Sequence, residues 1–546
     1  MRRSIGARNS SPGQSSQRFA PRVVALVAPL ILGVFLAACG GSSNSSSGST
    51  SSGQSAGTPV RGGVLSFARS EDADVGLNPI NAPSNGSIFI ITQIFDQLVE
   101  MGQGSEVEPG LAASWEKSAD GLSWTFHLRE ASFSNGEPVT AEDVKFSIER
   151  FANPKINVSY PALGEAIKDV QVVDPHTVII HLKHVNGALL DDVAMFASSI
   201  EPKTVVEKIG DKAFSEHPVG SGPFMVSEYK RGQKTVLVRN PHYWRTGEPL
   251  LNGVTFEFVP DANTRVLKLR SGEADVANAI PYNQVASLNG TEGVTVEVAK
   301  ALSWQSIFLN TTKPPLGDSK VRQALNYATP KEQILKTVLY GNAQIANSMI
   351  PPLKYWDASI KAYPFELEKA KKLMSESSAP NGFKLELLIP SGDPVEQQIA
   401  EVLKAEWAKI GVNVDIVQRE LGALESGWFE GKGGMAATFE GGTLSSDTLS
   451  DDEIAGLTLN PAAGLHSLGT YYNNPKVNQL LSDAGGTLSE EKRAKDFSEV
   501  QQIAMEDAPA VPLFFTKTVT GVRSNVKDFQ TYPIGWWPLR QVWLAK

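Results

Sequence analysis

The apolar positions of this chain fall into two registers. In "SWTFHLR", Trp124, Phe126 and Leu128 alternate with Thr125, His127 and Arg129, the two-residue period of a half-buried strand. After the turn pair Asn135-Gly136, Thr140 stands as an N-cap ahead of Glu142 and Asp143, and Val144, Ile148 and Phe151 recur at helical spacing. Upstream, "GGVLSFAR" reads as extended, "GLNPINAPSNG" as a loop, and "SIFIITQIFDQLVE" puts Ile88, Ile91, Ile94 and Phe95 on one helical face. In 318–341, Asp318 caps a helix bearing Val321, Ala324, Leu325 and Ala328. Thr329-Pro330-Lys331-Glu332 then reads as a capping box with proline at the first helical position. The helix it opens carries Ile334, Leu335, Val338 and Leu339 and ends at Gly341. Between 383 and 417, "FKLELLI", a stripe of Val395, Ile399, Val402, Leu403 and Ile410, and "VNVDIV" form a strand–helix–strand unit with a right-handed crossover. The pattern predicts an α/β protein of more than one domain.

Before residue 59 the pattern is different. Arg2, Arg3, Arg8, Arg18 and Arg22 form a basic region, followed by an apolar run from Val23 to Ala38 that Pro29 interrupts. That run is too short for a comfortable membrane span and has the layout of a secretory signal. Arg2-Arg3 reads as part of an ordinary basic region, since the rest of a twin-arginine signal is missing. From Gly40 to Thr58 the residues are Ser, Gly, Asn, Gln and Thr with one Ala, a composition that cannot offset its own ordering entropy. A flexible tether of roughly 25 Å is predicted. Between these segments lies Cys39, the single cysteine of 546 residues, which excludes an internal disulfide and a thiolate zinc site. Leu36-Ala37-Ala38-Cys39 closely resembles the lipobox of bacterial lipoproteins. The resemblance implies cleavage before Cys39, lipidation of its thiol, and attachment to the extracytoplasmic face of a bacterial membrane.

Charge narrows the partners. The formal net charge is −9, with no basic cluster, which argues against nucleic acid or an anionic lipid surface. No later stretch reaches the roughly eighteen apolar residues of a membrane-spanning helix. The remaining length suits two or three domains, and no fixed-period repeat is present.

Catalytic motifs are missing. There is no H-E-x-x-H and no phosphate loop, and Gly220-Ser221-Gly222 lacks the spacing of a G-x-S-x-G elbow. His181 and His184 in "HLKH" could ligate a metal, but residues three apart on a strand point to opposite faces, so a solvated strand edge is the plainer reading. Asp191-Asp192 and Asp451-Asp452 read as surface charge, without the burial a general acid needs. No catalytic residue, metal or cofactor is assigned; a surface-anchored hydrolase is the rival class to a binding protein.

The string "SWE-x-SADGLSWTFHLRE-x-x-F-x-NGEPVTAEDVKFSIERF" strongly resembles the signature of the extracellular solute-binding proteins (family 5) of peptide/nickel-type ABC importers. "VGSGPFMVSEYKRGQKTVLVRNPHYW" (219–244), "SIFLNTTKPPLGDSKVRQALNYATPKEQILKTVLYGNAQIANSMIPP" (306–352) and "EVQQIAMEDAPAVPLFF" (499–515) agree, in order. The resemblance implies a two-lobed periplasmic-binding-protein-like fold (class II, cluster C type) with an inserted satellite domain. After a signal (1–38) and tether (39–59), lobe I would comprise 60–105, 215–299 and 515–546. The satellite would span 106–214 and lobe II 300–514, with a hinge near 299–302 and 514–518. The implied partners are a small solute, an oligopeptide or dipeptide first, and an ABC permease with its ATPase. An oligosaccharide, an opine or a metal chelate would fit the same architecture. Candidate ligand contacts are Asn85, Trp304, Gln305, and Phe439, Glu440 and Asp447 in "MAATFEGGTLSSDT". This last stretch lacks the Trp and Asp-containing loop of peptide-binding members, so Glu440 or Asp447 would have to receive a peptide's α-ammonium.

Overall fold

The computed structural model describes residues 58–82, 84–102, 106–157, 160–420, 423–424, 427, 434–440, 450–461, 469–532 and 535–546, and the side chains of 81, 300–302 and 438–440 are not among those described. Cys39 and the predicted signal and most of the predicted tether lie outside the described residues.

Lobe I opens with β1 (Val64–Arg69), α1 (Asn85–Ile91) and the hairpin β2 (Val99–Met101) and β3 (Val107–Pro109). A satellite follows: β4 (Ala112–Lys117), β5 (Ser123–Leu128), α2 (Ala141–Phe151), β6 (Ile167–Asp174), β7 (Thr177–Leu182), α3 (Leu189–Asp192) and α4 (Lys203–Glu216). Its four strands form their own antiparallel sheet, β4-β5-β7-β6. The expected alternation in β5 is observed, with Trp124, Phe126 and Leu128 buried and His127 exposed. Thr140 does cap α2: the Asp143 carboxylate accepts from the Thr140 backbone N–H at 3.0 Å and its hydroxyl at 2.7 Å.

The chain returns to lobe I with β8 (Phe224–Lys230), β9 (Lys234–Arg239), β10 (Gly253–Phe258), α5 (Ala262–Ser271), β11 (Val276–Ala277) and α6 (Val285–Asn289). The long β12 (Val294–Leu309) leads into lobe II. Lobe II contains α7 (Ser319–Tyr327), α8 (Lys331–Thr337), β13 (Gln344–Ile345), α9 (Leu367–Ser375), β14 (Phe383–Pro390), α10 (Pro394–Trp407), β15 (Val412–Arg419), β16 (Ala436–Glu440), α11 (Asp451–Leu459), α12 (Pro475–Gly485) and α13 (Glu490–Asp507). β17 (Ala510–Arg523) runs back to lobe I, where β18 (Val526–Lys527) pairs with β19 (Trp543–Leu544).

One eleven-stranded sheet joins the lobes, in the order β15-β14-β16-β12-β17-β11-β1-β10-β9-β8, with β13 beside β17. Consecutive residues of β12 face opposite sides: Ile307 enters the core under α7 and α10, Phe308 the core under α11 and α13. Lobe I and the satellite share a third core. The expected unit β14–α10–β15 is present with parallel strands.

One local expectation is overturned. Pro330 itself holds the cap position of α8, and Lys331 is the first helical residue. The Thr329 hydroxyl donates instead to the Leu325 carbonyl (2.7 Å) and accepts from Trp407 Nε1 (3.1 Å), because a buried indole N–H close by needs an acceptor.

Candidate functional site

Strand direction locates the cleft. β12 runs from lobe I to lobe II, and β1, β10 and β11 run parallel to it, since β11 and β12 are both antiparallel to β17. Their carboxyl ends therefore point toward lobe II. β16 is antiparallel to β12 and parallel to β14, which is parallel to β15, so these three strands point back toward lobe I. The loops that follow both sets face one another, the position where open α/β sheets bind ligands.

Between them the sheet is bent. Lys300 pairs with Lys517 and Trp304 with Phe515, leaving residues 301–303 opposite Thr516 alone. Such a bulge kinks the strand and raises its twist. The Ser303 and Thr516 hydroxyls are hydrogen-bonded across it. This interrupted ladder between two crossing segments falls where the hinge is expected from the sequence.

The lobe I wall is built around Arg69, the last residue of β1 and 1% exposed. Its guanidinium donates to the carbonyls of Gly86 (2.7 Å) and Asn85 (3.1 Å) and lies over the rings of Phe89, Phe256 and Trp537. The start of α1 is thereby fixed to the end of β1; burial pulls the Arg69 pKa down to about 10. Arg265 plays the same part next door, donating to the carbonyls of Val259, Pro260, Asn278 and Ala279. Between these anchors, Ser70 N–H donates to Asn278 Oδ1 at 2.9 Å. Glu71 follows. Its side chain is open to water yet surrounded by protein mass, and this partial desolvation pushes its pKa up while Arg69 pulls it back. Glu71 thus stands just past the carboxyl end of β1, the end that points toward lobe II.

Behind α1 lies a cavity of about 50 Å³ lined in part by Phe89, Asp96, Glu100, Met101, Trp536 and Arg540. It has room for water and not for a solute. Burial, with Glu100 adding, pushes Asp96 up to about 6, against a hydrogen bond from Trp244 Nε1 at 3.0 Å. Met101 packs on the lobe I core and on a lobe II core together, so the hairpin β2–β3 bridges the two lobes.

The sequence model of the "Bacterial extracellular solute-binding proteins, family 5 Middle" matches residues 106–464. The chain is 33% identical over 476 residues to heme-binding protein A of Haemophilus influenzae, covering 81% of this chain and 85% of that protein. It belongs to the family 5 extracellular solute-binding proteins of ABC importers. Glutathione-binding protein GsiB of Salmonella typhimurium is 28% identical over 463 residues, with coverage of 84% and 90%. Among solved structures, the periplasmic binding protein DppA of Helicobacter pylori, in complex with peptide STSA, superimposes with a TM-score of 0.79 at 27% identity, covering 89% of this chain and 99% of that one. The two-lobed α/β fold expected from the sequence is the family's fold.

Within this family 5 protein the candidate contacts are placed unequally. Asn85 is half-buried at the start of α1, held through its carbonyl by Arg69. Trp304 is 1% exposed and packs in a lobe II core with Phe308 and Phe515. Gln305 is buried and donates to Glu396 Oε1 at 2.7 Å. Both side chains are committed to lobe II in this structure. The backbone of Glu440 pairs with Gln305, so β16 ends beside the hinge; the side chains of Phe439 and Glu440, and all of Asp447, lie outside the described residues.

Other expectations need correction. Asp192 and Asp451 are buried, not surface charge: Asp192 accepts from Asn186 Nδ2 at 2.8 Å and Asp451 from Tyr355 N–H at 3.2 Å. β7 ends at Leu182, so strand alternation does not reach His184, which pairs with Glu165 at 2.9 Å while His181 contacts Ser123 and Gln171. Sequence reasoning passed over Arg69, Glu71 and Arg265. The only signal for Arg69 and Glu71 was a charged residue in or just after an apolar strand; Arg265, within α5, gave none.

Proposed function

We propose that this chain captures short peptides between its lobes and hands them to an ABC permease and its ATPase, held at the outer face of the membrane by lipid on Cys39. The observation that carries the peptide reading is Glu71, an accessible carboxylate on the lobe I wall where the strand ends of both lobes converge. A peptide's α-ammonium suits it: a cation held there restores the charged form that partial burial disfavours, in a charge-assisted hydrogen bond worth about 1.5–3 kcal/mol. Support comes from two relatives, one named for glutathione, a tripeptide, and one bound to the peptide STSA. Asn85 at the start of α1, Phe439 and Glu440 in the last residues of β16, and Asp447 after it in sequence complete the proposed contact set. Trp304 and Gln305 position the lobe II side of the hinge. The residues bind and orient the solute; none of them transforms it.

Calorimetry with a panel of dipeptides to pentapeptides, glutathione, an oligosaccharide, an opine and a nickel–histidine chelate tests the reading. Binding of peptides that weakens at least about tenfold in Glu71→Gln is expected. Binding of another class with none of any peptide refutes it, and turnover of bound peptide would reinstate the hydrolase. For the anchor, Cys39→Ser is expected to move the protein from the membrane fraction to the soluble one.

A further inference from the structure

The satellite and lobe II meet at a seam far from the hinge in sequence. Gly187 N–H donates to the Gly485 carbonyl at 2.9 Å, and Leu488 of lobe II packs on the core shared by lobe I and the satellite, beside Gly121. Across this contact, Asp191 and Asp192 on α3 face Asp451 and Asp452 at the start of α11 and Arg493 on α13. Arg493 is committed within lobe II: it donates to Asp452, to the Ala484 carbonyl (2.9 Å) and to the Tyr355 hydroxyl (3.0 Å). The other nearby cation, Lys354, is paired with Glu490 at 2.7 Å. Asp192 accepts from Asn186 Nδ2 at 2.8 Å, and Tyr355 N–H reaches one oxygen of Asp451 at 3.2 Å. The other oxygen, Asp451 Oδ1, is buried with no hydrogen-bond partner among the described residues. Five carboxylates thus share two cations in a partly dry interface that exists only while the lobes are together.

We infer that closing this seam takes up protons at Asp191, Asp192 and Asp451, so that acid favours the closed protein and alkali opens it. The inference rests on the two-lobed fold and on no particular solute. Like charges drawn together out of water cannot all stay ionised. Burial is the main cause and the neighbouring aspartates add to it: Asp191 rises to about 6, Asp451 to about 8, and Asp192 well above the ordinary carboxylate range, with Arg493 opposing each. When the seam parts, Asp191 returns to water near its ordinary value. The closed form therefore binds more protons than the open one. Its advantage is complete at and below the ordinary aspartate range and is lost as pH rises through the closed-state values. Within that window each proton taken up changes the closed-to-open ratio about tenfold per pH unit. Solute capture, which also closes the lobes, is then proton-coupled.

The test uses the full chain with Cys39→Ser and spin labels on Lys168→Cys in the satellite and Lys495→Cys in lobe II, both exposed. Interlabel distances are recorded without added solute from about pH 5 to about pH 9. The expected result is a short-distance population that grows as pH falls. In Asp191→Asn this population persists to higher pH, and its pH response is weaker. Asp452→Asn, which frees Arg493 for the satellite carboxylates, is expected to shift the response to lower pH. Distances independent of pH in the parent, or identical pH responses in parent and both variants, overturn the inference. Failure of every peptide to bind leaves this result unaffected and refutes only the peptide reading.

Discussion

Arg69 Nη1 donates to the Gly86 carbonyl at 2.7 Å, joining the carboxyl end of one strand to the first turn of a helix. Gly86 tolerates no side chain there, because an added Cβ would lie 1.7 Å from the Asp72 carbonyl oxygen. The loop between them, which includes Glu71, is closed from both ends. Arg69→Met keeps the apolar stem over Phe89, Phe256 and Trp537 and deletes only the donors. We expect a loss of about 3 kcal/mol in urea unfolding, two charged hydrogen bonds' worth, and a loss of solute affinity as Asn85 and Glu71 drift. Unchanged stability would show that water replaces the guanidinium without cost.

Gln305 is a sharper case, since two roles compete for it. Its amide donates to Glu396 at 2.7 Å, and Glu396 is 2% exposed. Gln305→Leu leaves a buried carboxylate one donor short, at a cost of about 2 kcal/mol. Adding Glu396→Leu removes the carboxyl group that lost its donor and is expected to restore most of the loss. If Gln305 also contacts solute, the double variant regains stability but not affinity. If its role is purely to position, both return together.

These sites show where local pattern suffices for prediction. Trp124, Phe126 and Leu128 were legible because strand alternation depends on immediate neighbours. Asp318 was legible because a cap acts within one turn; its carboxylate accepts from Lys320 N–H at 2.9 Å. Thr329 was misread because the acceptor demand of Trp407, remote in sequence, outweighed a cap signal. Asp192 and Asp451 were misread for the same physical reason. Asp451, for example, accepts from Tyr355 N–H at 3.2 Å, and no window around either residue contains the other. The cleft follows from strand direction, which depends on pairings such as Ala277 with Gly521 that only the folded sheet displays. The family resemblance carried the lobes; it did not carry the wall residues.

Lys331 adds a stability prediction outside the cleft. It is 1% exposed and its Nζ has no hydrogen-bond partner among the described residues. Burial pulls its pKa down to about 7 from 10.5. A base with a lowered folded-state pKa costs stability wherever the unfolded chain keeps its proton. The unfolded state binds more protons between about 7 and 10.5, so this residue makes stability rise with pH over that window, and its penalty is greatest below it. Lys331→Met, of similar volume, is expected to stabilise the protein by about 2 kcal/mol or more at pH near 6, with the gain shrinking toward pH 10. Urea unfolding of both proteins at the two pH values checks the sign. A variant less stable than the parent at the lower pH would mean the ammonium has a partner after all.

Gly187 lies in the satellite, yet the atoms that crowd it belong to lobe II. An added Cβ would stand 2.3 Å from Arg493 Nη1 and 2.5 Å from the Thr487 carbonyl oxygen. Neither clash exists once the lobes separate, and the three atoms nearest the added Cβ all belong to lobe II. Gly187→Ala therefore acts on the closed state alone. We expect a thermal midpoint close to that of the parent in the absence of solute, and solute affinity lower by about tenfold, the effect of about 1.4 kcal/mol on closure. Small-angle scattering without solute is expected to show a larger radius of gyration in the variant. Equal affinity in parent and variant would mean that the seam yields by sliding Arg493 aside, and that the carboxylates opposite it are not fixed by this contact.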